Sequence, residues 1–211
     1  SLSGQFPSEV HYTEDTVRLY FDDPMSNGIY EDLTISGLRD LSENQISDTT
    51  ISVLYFEPTP AQWQSIVVNE FLADPTPSRG TLPDESNAEF IELFNTDSHP
   101  FNLENWVING EVLPSHILLP GEYVIVSHPD FSAFYSDFGD VISPDSWPGL
   151  SNRGTTISLT SPDNSLIDIH EYDTDDVGAG ISTERIYGMP PCGILENFSL
   201  ATNDQGATPG A

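Results

Sequence analysis

The sequence predicts an all-β protein of the immunoglobulin-like sandwich class, and three observations carry that expectation. Short runs of alternating or β-branched apolar residues recur along the whole chain. Residues that tolerate turn geometry separate them, among them Asp23-Pro24, Asn27-Gly28, Asn109-Gly110, Pro120-Gly121 and Asn164-Ser165. No stretch has the length and period of an ordinary helix. In order, strands are expected at residues 17–21, 32–35, 50–56, 65–72, 89–94, 106–108, 123–127, 156–160, 166–172 and 183–186. Between the seventh and eighth, Phe131, Phe134, Tyr135 and Phe138 stand at near-helical spacing, so 129–138 is expected to form a short helical turn on a sandwich edge.

Charge narrows the function. The chain has 211 residues, 34 acidic and 5 basic, for a net charge of −29, and every basic residue is an arginine: Arg18, Arg39, Arg79, Arg153 and Arg185. A protein that grips phosphates needs a basic stripe that releases counterions, so nucleic acid is excluded as a partner. The same field repels anionic headgroups, and no stretch approaches the roughly 20 apolar residues of a membrane helix. Disorder is also disfavoured, because 37% hydrophobic and 10% aromatic residues suffice for a core. The acidity suits saline or calcium-containing surroundings, where ions screen self-repulsion. A single cysteine, Cys192, forms no intrachain disulfide and is expected to be an inert thiol. The chain opens on Ser1 without a signal peptide, as expected of a mature product or of a piece of something longer.

Pro58-Thr59-Pro60 marks a boundary. It divides the chain into a partial unit at 1–58, a linker at 59–64 and a larger sandwich at 65–211. In the first unit, Tyr30-x-x-Leu33-Thr34-Ile35-x-Gly37-Leu38-x-Asp40-x-x-x-Asn44 resembles the second half of a bacterial Ig-like domain of cell-surface proteins, with Glu43 where the turn usually has Gly. Such domains need near 100 residues, so this unit is expected either to lack its first strands or to be completed by docking.

In the larger unit, nine collinear blocks follow one another. They start with Val67-Val68-Asn69-Glu70-Phe71-Leu72-Ala73-Asp74-Pro75 and Ala88-Glu89-Phe90-Ile91-Glu92-Leu93-Phe94-Asn95. Asn102-Leu103-x-x-Trp106-x-Ile108, Leu118-Leu119-Pro120-Gly121-Glu122-Tyr123-Val124-Ile125-Val126 and Trp147-Pro148-x-Leu150-Ser151-Asn152-x-Gly154 follow. Leu166-Ile167-Asp168, Ser182-Thr183-Glu184-Arg185, Pro191-Cys192 and Ala207-Thr208-Pro209-Gly210 close the series. Taken in this order, the blocks resemble the lamin-tail domain of secreted bacterial proteins. Strand parity places Ile91 and Leu93 inward and Glu92 outward. Trp106 is expected at the centre of the sandwich, and Asn95 and Asn152 are expected to bond their local turns. The resemblance implies a non-catalytic structural, adhesion or targeting module of a secreted or cell-surface bacterial protein. Extracellular protein domains or glycans would be its partners.

Candidate chemistry is sparse. Glu70, Glu89 and Glu92 lie on strands expected to be neighbours and could act as acid and base or hold a cation, the arrangement a free-standing hydrolase would need. His11, His99, His116, His128 and His170 have no zinc spacing. No G-x-S-x-G is present, and acids flank Gly178-Ala179-Gly180, which would repel phosphate. Calcium has two candidate loops: Asp173, Asp175 and Asp176 in one, Asp84 and Glu85 in the other. The alternative reading is therefore a calcium-dependent glycan- or protein-binding module accompanying a secreted hydrolase. Asn197-Phe198-Ser199 fits a glycosylation sequon and decides nothing.

Overall fold

The computed structural model describes residues 1–13, 16–40, 42–80, 82–186 and 197–210. Cys192 and the Pro191-Cys192 block lie outside them. Strands make up 39% of the chain and helices 5%, an all-β architecture as predicted. Two compact units form, Ser1–Glu57 and Pro58–Ala211.

The first unit consists of two antiparallel hairpins. Strands β1 (Glu9–Tyr12) and β2 (Val17–Tyr20) make one, β3 (Ile29–Ile35) and β4 (Thr49–Tyr55) the other. Residues opposite one another share a face, so the β3–β4 register collects Ile29, Leu33, Ile35, Ile51, Val53 and Tyr55 on one side. That apolar side is only half covered: Ile29 is 57% exposed and Ile51 46%, while Leu33, Ile35 and Val53 are half-buried. Leu2, which bridges to Leu33, is the buried hydrophobic residue of the unit among those described. Beyond β3, Asp40 builds a tight turn, its carboxylate accepting from the Ser42 and Asn44 N–H groups (2.8 and 2.9 Å), and Glu43 is held at φ +66°.

The second unit is a two-sheet sandwich with an added layer. Its strands are β5 (Ile66–Leu72), β6 (Phe90–Asn95), β7 (Phe101–Asn102), β8 (Val107–Ile108), β9 (Glu111–Val112), β10 (Ile117–Leu118), β11 (Tyr123–Ser127), β12 (Val141–Ile142), β13 (Gly154–Thr160), β14 (Leu166–Asp173), β15 (Thr183–Arg185) and β16 (Phe198–Leu200). A six-stranded sheet runs β12-β11-β6-β5-β15-β16, a four-stranded one β14-β13-β8-β9, and β7 pairs with β10. Between the sheets, Ile66, Val68, Phe71, Ile91, Leu93, Val124 and Val126 pack against Ile157, Leu159, Ile167 and Tyr172. Trp106 sits in this core at 3% exposure, edge-on to Phe101, as its expected role requires. Asn95 also holds its turn, donating to the His99 and Leu118 carbonyls (2.9 and 3.0 Å).

The segment 129–138 forms a 3-10 turn (Pro129–Phe131) that runs into helix α1 (Ser132–Tyr135). It lies over the outer face of the six-stranded sheet. Tyr135 packs there with Leu72, Leu82, Phe90, Ile125 and Ala207, and its hydroxyl donates to the Ala88 carbonyl (2.6 Å). This third layer corrects the expectation for Glu92. The side chain does point away from the inner core, but the outer face is roofed and Glu92 is fully buried.

A bulge sets the direction of Glu70. The β5–β6 register passes from Val68↔Leu93 to Glu70↔Glu92, leaving Asn69 as an extra residue. An unbroken strand would put Val68 and Glu70 on one face. The bulge instead sends Val68 to the inner core and Glu70 to the outer face, beside Leu72. Its backbone groups are satisfied by a buried ion pair. Asp168 Oδ2 accepts from the Val68 N–H (2.8 Å) and from Arg185 Nη2 (2.7 Å), while Arg185 Nε donates to the Val68 carbonyl (2.7 Å).

Candidate functional site

The three glutamates singled out by strand adjacency do not converge on one site. Glu70 and Glu92 face each other across β5 and β6 and continue to Glu184, which pairs with Glu70 from β15. They form a row on the outer face, covered by the C-terminal segment 207–210. The Thr208 N–H donates to Glu70 Oε1 (2.9 Å), its hydroxyl donates to Glu184 Oε1 (2.9 Å), and the Gly210 N–H donates to Glu92. Asn69, freed by the bulge, donates from its side-chain amide to Glu92 Oε1 (2.8 Å). Burial raises both carboxyls from 4.5 to about 7, against the pull of these bonds, and the neighbouring carboxylates add to the rise.

Glu89 occupies a different place, at the base of a cleft of about 590 Å³ lined also by His128, Asp130, Asp145, Trp147 and Pro148. Glu89 Oε2 accepts from the Trp147 indole N–H (2.6 Å) and from the Leu150 N–H (2.9 Å). Burial raises the Glu89 carboxyl, those two bonds oppose the rise, and His128 also lies close enough to lower it. His128 Nδ1 accepts from the Asp130 N–H (3.1 Å), which orients the ring. The cleft therefore combines an anchored indole, a buried carboxylate and two exposed acids. That surface suits a cationic or polyhydroxylated group, and it holds no nucleophile activated by a base.

The calcium candidates lie elsewhere, and local bonds occupy them in part. Asp173 accepts from the Asp175 N–H (2.7 Å), and Asp176 accepts from the Asp173 N–H (3.1 Å), a reciprocal cap on the 3-10 turn Thr174–Asp176. Asp84 accepts from the Ser78 N–H (2.9 Å), and the Glu85 carbonyl accepts from the Ala88 N–H (3.0 Å). Among the described residues, no three of His, Cys, Asp or Glu gather where they would hold a metal ion. The histidines are dispersed as well. His11 bonds Glu9 and His99 bonds Asp97, while His170 stacks on Phe198 and is pushed down to about 4 by burial and by Arg185. Gly178 and Gly180 form a tight turn, where a Cβ on Gly180 would fall 2.3 Å from the Pro77 carbonyl oxygen. Among the described residues, no helix is long and apolar enough to cross a membrane.

Sequence reasoning did not place Trp147, His128 and Asp145 together, because they meet only when two separate loops fold onto the edge of the sheet. A signal for the buried row was present. Strand β6 reads Phe-Ile-Glu-Leu-Phe, apolar on both parities, the mark of a strand covered on both faces.

No curated protein and no solved structure matches the chain. The family model for the lamin tail domain matches residues 59–174, more than half of the sequence and almost all of the sandwich up to the end of β14. Together with the two-sheet sandwich built around Trp106, that match establishes that the chain belongs to the lamin tail domain family.

Proposed function

We propose that this chain is a non-catalytic adhesion or spacer module of a secreted or cell-surface bacterial protein, and that it docks a protein partner through the Glu89 cleft. One observation carries the proposal. The cleft offers an indole fixed by its own N–H bond to Glu89 and an acidic rim, in a chain of net charge −29. A Lys or Arg side chain of an extracellular partner satisfies both features at once, by cation–π contact and by ion pairing. Electrostatic steering toward so acidic a surface speeds the encounter. Glycan binding is the alternative for the same cleft, and a calcium-assisted mode is its variant.

The test is titration of a fluorescent Arg/Lys-rich peptide at physiological salt against the wild type and Trp147→Ala. Binding weakened about tenfold or more by Trp147→Ala supports the cleft. Equal binding by the two proteins reduces the attraction to net charge and removes the proposal. Repeating the titration and a thermal melt with millimolar calcium decides the variant, since a folded-state ligand must raise the melting temperature.

A further inference from the structure

We propose that the C-terminal segment 207–210 is a strap whose closure over the six-stranded sheet follows the protonation of the glutamate row beneath it. It is closed when Glu70 and Glu92 carry protons and loosened when both are ionised. This inference is independent of the cleft.

The geometry supplies the argument. The row lies in direct cross-strand register, Glu92 opposite Glu70 and Glu70 opposite Glu184, where like charges destabilise a sheet. The strap satisfies the row through two backbone N–H groups and one hydroxyl, all dipoles, and brings no cation. Its fit is close. Gly206 and Gly210 both adopt positive φ, and a Cβ at either would lie 2.1 Å from a carbonyl oxygen, of Gly180 and Phe138 respectively. Ser182 anchors the near end by donating its N–H to the Gly206 carbonyl (2.7 Å).

The groups facing the row from the packed elements are mostly neutral or acidic. Tyr123 on β11 lies near Glu92, and Tyr135 on α1 lies near Glu70 and Glu89. Asp137 and Asp140 flank the Phe138–Gly139 turn against which Gly210 rests, and Asp204 precedes the strap. Arg79, beside Gly206, is the cation of the adjoining loop.

Closing the strap therefore removes water from Glu70 and Glu92, with the half-buried Glu184 beside them, without offering a full counter-charge. Opening returns the water. Protons bind more tightly to the closed state, so by linkage they favour it. Both buried carboxyls titrate near 7 in the closed state against 4.5 when solvated, which sets the window. Closure is favoured below about 4.5 and the advantage is lost as pH rises through about 7.

Hydrogen exchange of the Thr208 and Gly210 amides, corrected for intrinsic rates and compared with core amides of Ile91 and Val124, tests this. In the wild type, strap protection is expected to fall on the order of tenfold or more between pH 6 and pH 8 and to lie well below core protection at each pH, the mark of a strap that opens while the core stays folded. In the Glu70→Gln, Glu92→Gln double variant it is expected to be flat. Unchanged wild-type strap protection overturns the proposal, whether or not the variant folds. Strap protection equal to core protection at every pH also overturns it, as does a variant that keeps the full pH dependence.

Discussion

The two units use the same element, the antiparallel β pair, and reach opposite outcomes. In Ser1–Glu57 the apolar side of β3–β4 is at most half-buried, and among the described residues Leu2 is the buried hydrophobic one. In Pro58–Ala211 the same kind of strand is covered on both sides, by a second sheet at Phe71 and Leu93 and by the helical layer at Phe90 and Ile125. The difference teaches that alternation supplies a face, whereas stability comes from what lies on it. A two-stranded hairpin is marginal by itself, and apolar area contributes about 25 cal/mol per Å² only once removed from water.

Core truncation should separate the units most sharply. Trp106→Ala is expected to cost about 3–5 kcal/mol in a denaturant melt, and Ile51→Ala on the open face no more than about 1 kcal/mol. Similar losses would break the comparison. The ion pairs should diverge next. Asp168→Ala leaves Arg185 buried with its partner gone and the Val68 N–H unmet, at about 3–5 kcal/mol. Arg39→Ala, which removes the exposed pair with Glu43, is expected to cost about 1 kcal/mol or less.

The pH response should then differ in sign. Glu70 and Glu92 have folded pKa values near 7, above the ordinary 4.5, so their contribution is full below about 4.5 and lost as pH rises through 7. The sandwich should melt several degrees higher at pH 5 than at pH 8, given about 1.4 kcal/mol per pKa unit and about 2–4 °C per kcal/mol. Asp40 in the first unit is lowered by its bonds to Asn44, so its contribution exists above its ordinary value of 3.8 and is lost as pH falls below it. Scans at pH 5 and pH 8 check the first direction, and scans at pH 5 and pH 3 check the second. The smallest effect belongs to Glu43→Gly. Relieving the left-handed conformation of the Asp40 turn should stabilise the first unit by a few tenths to about 1 kcal/mol, read from its melting midpoint.

Much of the sandwich was legible because local rules and global fold agree there. The longer strands, the inward parity of Ile91 and Leu93, the turn at Asn95 and the central place of Trp106 all follow from residue type and spacing. The two-residue strands β7, β9, β10 and β12 were not foreseen, since two residues display no period. Strands β1 and β16 were also missed, being short and mixed in polarity. The candidate site was less legible. Adjacency of Glu70 and Glu92 could be foreseen, but the separation of Glu89 into its own cleft depends on Trp147 and Leu150, some sixty positions away.

By itself the sequence determined the fold class, the inner faces and the net charge, because alternation, turn chemistry and charge are local or summed properties. Only the tertiary structure decided the fate of the carboxylates. The bulge at Asn69, clamped by Asp168 and Arg185 from distant strands, turns Glu70 outward. The helical layer and the strap then roof that outer face. Burial of a charge depends on what the rest of the chain places over it, and no spacing within a strand records that.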